Sequence, residues 1–239
     1  MTIVKSGSAG SFRGKVGDKI YRKVNGKTVV VQAPEFINVS YSAGCLKSRH
    51  AFRIAEDLSK TIKSDELLYG LWDKVKPLGN NKFSRIMKAN LGVINGKGVN
   101  ERNVITPDSE TVPHRFRNNC TLLSKKSFGL NSDGVYAEIK VHREFTDILA
   151  PPYTAFFVVY LGKQNSQEDL PEYEFLPFDI NVDEESSDEY QRFEIVFDKG
   201  TKELIRKYSY ATVLFALVKI NNQTKKYEWS KTETLETII

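Results

Sequence analysis

Two stretches, residues 154–161 and 211–220, are apolar on both faces of an extended chain. No other feature constrains the fold as strongly. A half-exposed strand alternates apolar and polar residues because successive side chains point to opposite faces, whereas a strand that is apolar on both belongs at the centre of a sandwich. Residues 135–142, 190–198 and 226–231 do alternate, and read as strands with one wet face. Asn221 and Asn222 begin the turn before the last of them. Strands in this number, separated by turn signals, predict an antiparallel, Ig-like β-sandwich over residues 128–239.

The first half has a different pattern. Residues 6–11 are all Ser, Gly or Ala, the composition of a mobile or tightly docked arm that Gly14 and Gly17 extend. Residues 19–24 and 27–32 flank Asn25-Gly26, a pair that accepts positive φ and suits a type I′ hairpin turn. In that register Arg22 lies opposite Val29 and Lys23 opposite Thr28. Leu46, Ala51, Ala55, Leu58 and Ile62 then recur at helical spacing. Ser64 reads as the N-cap of a second helix carrying Leu67, Leu68, Leu71, Trp72 and Val75, and ended by Pro77 and Gly79. Phe83, Ile86, Met87 and Leu91, closed by Gly92, make a third. Residues 96–127, rich in Gly, Asn and Pro without a sustained period, read as a linker. The expectation is an α+β chain of two modules: arm and hairpin at 1–40, a short helical bundle at 41–95, the linker at 96–127, and the sandwich.

Charge divides at the same place. Residues 1–126 carry 23 Lys and Arg against 10 Asp and Glu, a net +13, while residues 127–239 carry 12 against 20, a net −8. A sign reversal of this size gives the first half a need for an anionic partner, whether nucleic acid, another protein's acidic surface, or the acidic half of a second copy. The candidate binding residues are Arg13, Lys15, Lys19, Tyr21, Arg22, Lys23 and Lys27 on the arm and ribbon, Arg49 and Arg53 on the first helix, and Lys82, Arg85 and Lys88 on the third. A basic ribbon with an aromatic fits a phosphate backbone or a groove. The same lysines also discourage unwanted pairing at a sheet edge, and helix cations commonly form a solvated face.

No catalytic or cofactor pattern emerges. Gly14-Lys15 and Gly96-Lys97 lack the final hydroxyl of a phosphate-binding loop. His50, His114 and His142 are scattered, and Cys45 and Cys120 are too few for a disulfide framework, so reduced thiols are expected. The acidic run Asp183-Glu184-Glu185 with Asp188 and Glu189 lacks a calcium loop and reads as solvated. No stretch approaches the roughly 20 apolar residues of a membrane span, and synthesis in the cytoplasm is expected. The chain reads as a non-enzyme without cofactor or metal.

Gly10-Ser-Phe-Arg-Gly-Lys-Val-Gly17, the basic hairpin ending near Val31, the helical region with Trp72 and Phe83 ahead of Asn90, and a late strand Tyr227-Glu-Trp-Ser230 together resemble an uncharacterised bacterial and phage-associated family. The chain departs from it at Asn38-Val-Ser-Tyr41, where that family commonly has Asn-Pro-Arg-Thr. The resemblance implies the architecture above and a phage or assembly setting. The expected function is therefore that of a structural or assembly protein, a phage virion component, docking through the basic arm and hairpin onto other subunits or itself; the alternative is nucleic-acid binding by the basic half.

Overall fold

The computed structural model describes residues 2–4, 14–24, 27–33, 42–74, 81–108, 120–121, 123–131, 133–140, 152–163, 173–183, 190–220 and 227–239. The chain is α+β and forms two compact units that meet between Cys45 and Leu46.

The first unit is a small antiparallel sheet of β1 (Thr2–Val4), β2 (Gly14–Val16), β3 (Lys19–Val24) and β4 (Lys27–Gln32), in the order β1-β4-β3-β2. Its central hairpin has the predicted register, Arg22 opposite Val29 and Lys23 opposite Thr28. The Asn25-Gly26 turn itself lies outside the described residues. A second tight turn joins β2 to β3 at Gly17-Asp18, where Gly17 takes the left-handed φ of +62° that a side chain would disfavour.

The second unit has three layers. Helices α1 (Ala43–Ser64, its first residues in the preceding unit), α2 (Glu66–Lys74) and α3 (Lys82–Leu91) make one outer layer. The middle layer is a sheet of β5 (Cys120–Thr121), β8 (Tyr153–Gly162), β9 (Tyr173–Val182), β11 (Tyr210–Ile220), β12 (Tyr227–Ser230) and β13 (Glu233–Ile238). The other outer layer is a sheet of β6 (Ser124–Leu130), β7 (Gly134–Lys140) and β10 (Tyr190–Val196), with β10 and β6 at its edges. Pairing is antiparallel except for the short contact of β12 with β5. A short helix, α4 (Lys199–Ile205), connects β10 to β11, its N-terminus capped by Asp198 accepting from Thr201 N.

Strand β11 pairs with β8 from Tyr210 to Val218 on one side, and on the other meets β13 and then β12. Alternate side chains of the two long strands enter different cores. Phe156, Val158, Tyr160, Leu214, Ala216 and Val218 pack against Ile54, Leu58, Ile62, Leu71, Trp72 and Ile86 of the helices. Ala155, Phe157, Val159, Val213, Phe215 and Leu217 pack against Val135, Ala137, Ile139 and Phe193 of the outer sheet. Both faces are dry because both are covered, and each large side chain so buried contributes about 1.5–3 kcal/mol. The two-sided apolar pattern is thus explained by a sandwich with a helical third layer, not by a sandwich joined to a separate helical module.

The stretch read as a linker is, over residues 96–108, part of this core. Asn residues usually mark loops because their side chains bond to nearby backbone, and here they do so inside the protein. Asn90 donates to the carbonyls of Ile86 (3.1 Å) and Val104 (3.0 Å) and accepts from Val104 N (2.8 Å) and Asn103 Nδ2 (3.0 Å), all without exposure to water. Trp72 Nε1 donates to Ile105 O, and Trp229 Nε1 to Pro107 O. Between β12 and β13, Thr232 Oγ1 accepts from both Ile105 N and Thr106 N at 3.1 Å, while Thr106 Oγ1 donates to Ser230 O. The segment stitches the helices to the split edge of the middle sheet. Residues 109–119 lie outside the described residues.

Candidate functional site

The basic ribbon is the first unit's sheet. Opposed residues in antiparallel strands share a face, so Lys15, Ile20, Arg22, Val29 and Val31 lie on one side and Val16, Lys19, Tyr21, Val30 and Gln32 on the other. Lys15, Lys19 and Arg22 are exposed, which places cations on both faces. Tyr21 is half-buried. Apolar cover is thin: among the described side chains Val29 and Ala33 are buried, Ile20, Val30 and Val31 are half-buried, and Val16 is 60% exposed. Arg13 lies outside the described residues, as do the side chains of Lys23 and Lys27.

The helical cations do not gather into one surface. Arg49 and Arg53 are exposed on the first turns of α1, where Leu46 and Phe52 are exposed as well; burial on this helix begins at Ile54. The periodic face predicted from Leu46 therefore holds only for the later turns. The Arg53 guanidinium lies 5.9 Å from the centre of the Tyr173 ring, which His50 meets edge-on. On α3, Lys88 is exposed, while the Lys82 ammonium sits 4.8 Å over the Tyr69 ring. Arg85 is a correction to the predicted binding set. It is 7% exposed and donates from Nη1 to Trp72 O at 2.6 Å, satisfying a carbonyl at the end of α2. Positions three apart on a helix drift about 60° per step, so Lys82, Arg85 and Lys88 cannot all face the same way.

Further arrangements appear only in three dimensions. Asp57 accepts a hydrogen bond from the Tyr173 hydroxyl at 2.6 Å. Burial works against its charge, but that bond, the bond and charge of Lys60, and the charge of Arg53 outweigh it and hold the carboxyl below its ordinary value. A cavity of about 220 Å³ lies beside Asn95, Lys97, Asn100, Tyr210 and Glu236. Several of its polar groups are engaged within the loop: Asn95 Oδ1 accepts from Lys97 N, Asn100 Nδ2 donates to Val93 O, and Glu236 Oε1 accepts from Glu101 N. These bonds shape the loop. On β10, Arg192 Nε donates to Glu194 Oε2 at 3.0 Å and its guanidinium lies 4.9 Å from the Tyr136 ring centre. The alternation of residues 190–198 marks Arg192 and Glu194 as outward, but nothing in it says that β10 is an edge.

Among the described residues, no three His, Cys, Asp or Glu side chains are grouped to hold a metal, and no helix is long and apolar enough to cross a membrane. His114 and His142 lie outside the described residues. Compared with known proteins, the chain matches no family model and no curated protein.

Proposed function

We propose that this is a non-enzymatic assembly protein of a phage particle that docks onto neighbouring subunits through its basic N-terminal sheet. The observation that carries the reading is the sheet's thin cover: cations on both faces and little buried apolar surface among its described residues. A sheet so small gains independent stability only when an apolar face is covered. A partner with acidic and apolar surface supplies both the cover and the counter-charge, and opposite charges would speed encounter and set register. Phosphate binding favours cations gathered on one surface, so the two-sided distribution supports a protein partner over nucleic acid.

Labelled single- and double-stranded DNA, titrated at about 50 and 200 mM salt, separates the readings, since phosphate-driven affinity falls steeply across that range. Sedimentation and electron microscopy of the same protein accompany it. Ordered assemblies without nucleic acid are expected; micromolar, salt-sensitive DNA binding by a protein that does not assemble would overturn the proposal.

A further inference from the structure

We infer that β10 is a self-association edge, across which two copies of the chain pair antiparallel about a two-fold axis at Phe193. Strand β10 is bonded to β7 on one side only, and among the described residues no strand lies beyond it. Exposed edges are normally blunted by Pro, Lys or a bulge. Two other edges of this unit show such devices: β9 has Pro177 at its middle, and β6 has a register shift at Lys125/Ser127 with Lys125 bridged to Glu233 at 3.2 Å. Strand β10 has no Pro, Lys or bulge, and its two exposed charges, Arg192 and Glu194, are of opposite sign. It runs seven residues in unbroken register with β7, carries neither Pro nor Lys, and ends in Val196, which is 73% exposed.

The strand's own charges choose the partner and the register. Antiparallel pairing of identical strands about a two-fold axis places one residue opposite itself and its neighbours opposite each other. Centring on Arg192 or on Glu194 would set like charges face to face, which is destabilising. Centring on Phe193 sets Arg192 opposite Glu194 of the partner subunit, twice, and Tyr190 opposite Val196 of the partner subunit, twice. The outward residues then form a ladder from Glu138 of β7 through Arg192 to the partner's Glu194, and Val196 gains an aromatic neighbour. The inward residues continue the sandwich side. Two outer sheets become one continuous sheet. This surface belongs to the second unit, and the inference does not depend on what the N-terminal sheet binds.

The test uses the full-length protein and its own second copy. Sedimentation from about 1 to 100 μM brackets a micromolar Kd, and hydrogen exchange on the unmodified protein should show residues 190–196 gaining protection as concentration rises. R192E and E194R each turn both cross-strand attractions into repulsions, and each should weaken dimerisation roughly tenfold or more. Mixed in equal amounts, the two variants restore complementary pairs and should form a heterodimer. A protein monomeric throughout the range, concentration-dependent protection confined to other strands, or variants that do not recover on mixing would each overturn the assignment.

Discussion

Asn90→Ala tests whether residues 96–108 are truly part of the core. The side chain is fully buried and holds Val104 by both its N–H and its carbonyl. Truncation strands those two backbone groups; Ile86 O is a helical carbonyl, and Asn103 Nδ2 still reaches Asn90 O at 3.3 Å. A buried polar group left unsatisfied costs about 1–3 kcal/mol, so two give about 2–6, and water entering the vacated space would bring the loss towards about 3 kcal/mol. For a unit of this size that corresponds to a fall in Tm of about 6–12 °C. Urea unfolding followed by Trp fluorescence is well placed to measure it, because Trp72 and Trp229 both donate to this segment. A loss below about 0.5 kcal/mol with an unchanged denaturant slope would refute the reasoning, since it would mean that the segment can come away without cost.

Three further outcomes are expected. Gly98→Ala should destabilise by about 3 kcal/mol, because φ of +102° disfavours a side chain and the new Cβ would fall on the Tyr160 hydroxyl; combining it with Tyr160→Phe should show clear non-additivity in a thermal-unfolding cycle. Arg85→Met should cost about 1–3 kcal/mol by removing the Arg85 donor from the buried Trp72 O, as measured by denaturation, and should leave any association through the basic ribbon unchanged. Asp57 titrates below its ordinary value of 3.8 in the folded protein, so its bond with Tyr173 stabilises above that pH and is lost as pH falls through the folded value. The stability difference between the unmodified protein and Tyr173→Phe should therefore be largest near neutrality and shrink below about pH 4.

Much of the local structure was legible because local chemistry decides it. Alternation located β7, β10 and β12; the register expected from Asn25-Gly26 is the one found between β3 and β4, and Gly92 closed α3 as expected. The cap of α2 was off by one: Asp65, not Ser64, accepts from Leu68 N, while Ser64 bonds back to Thr61 within α1. Long-range choices were harder to read. The double-sided apolarity of β8 and β11 shows that both faces are covered, but not that the helices from the other half of the sequence provide one cover. The 96–108 segment looks like a linker because its Asn side chains satisfy backbone groups, and composition cannot tell whether they do so in water or in a core. Strand β9 was not identified, since its broken alternation around Pro177 hides the edge strand that pairs with β8. Of the candidate residues, Lys15, Lys19 and Arg22 lie exposed, as charged side chains on a small ribbon do; the burial of Arg85 was not legible, because its partner is a backbone carbonyl on another helix.

The central claim is assembly through the N-terminal sheet, and the most direct measurement compares the unmodified full-length protein with a Lys15→Glu, Lys19→Glu, Arg22→Glu variant by sedimentation and electron microscopy. The account predicts assemblies larger than a dimer for the first and an arrest at the dimer for the second, with unfolding of the second unit unchanged. Equal assembly of both, or a loss confined to salt-sensitive DNA binding, would contradict it.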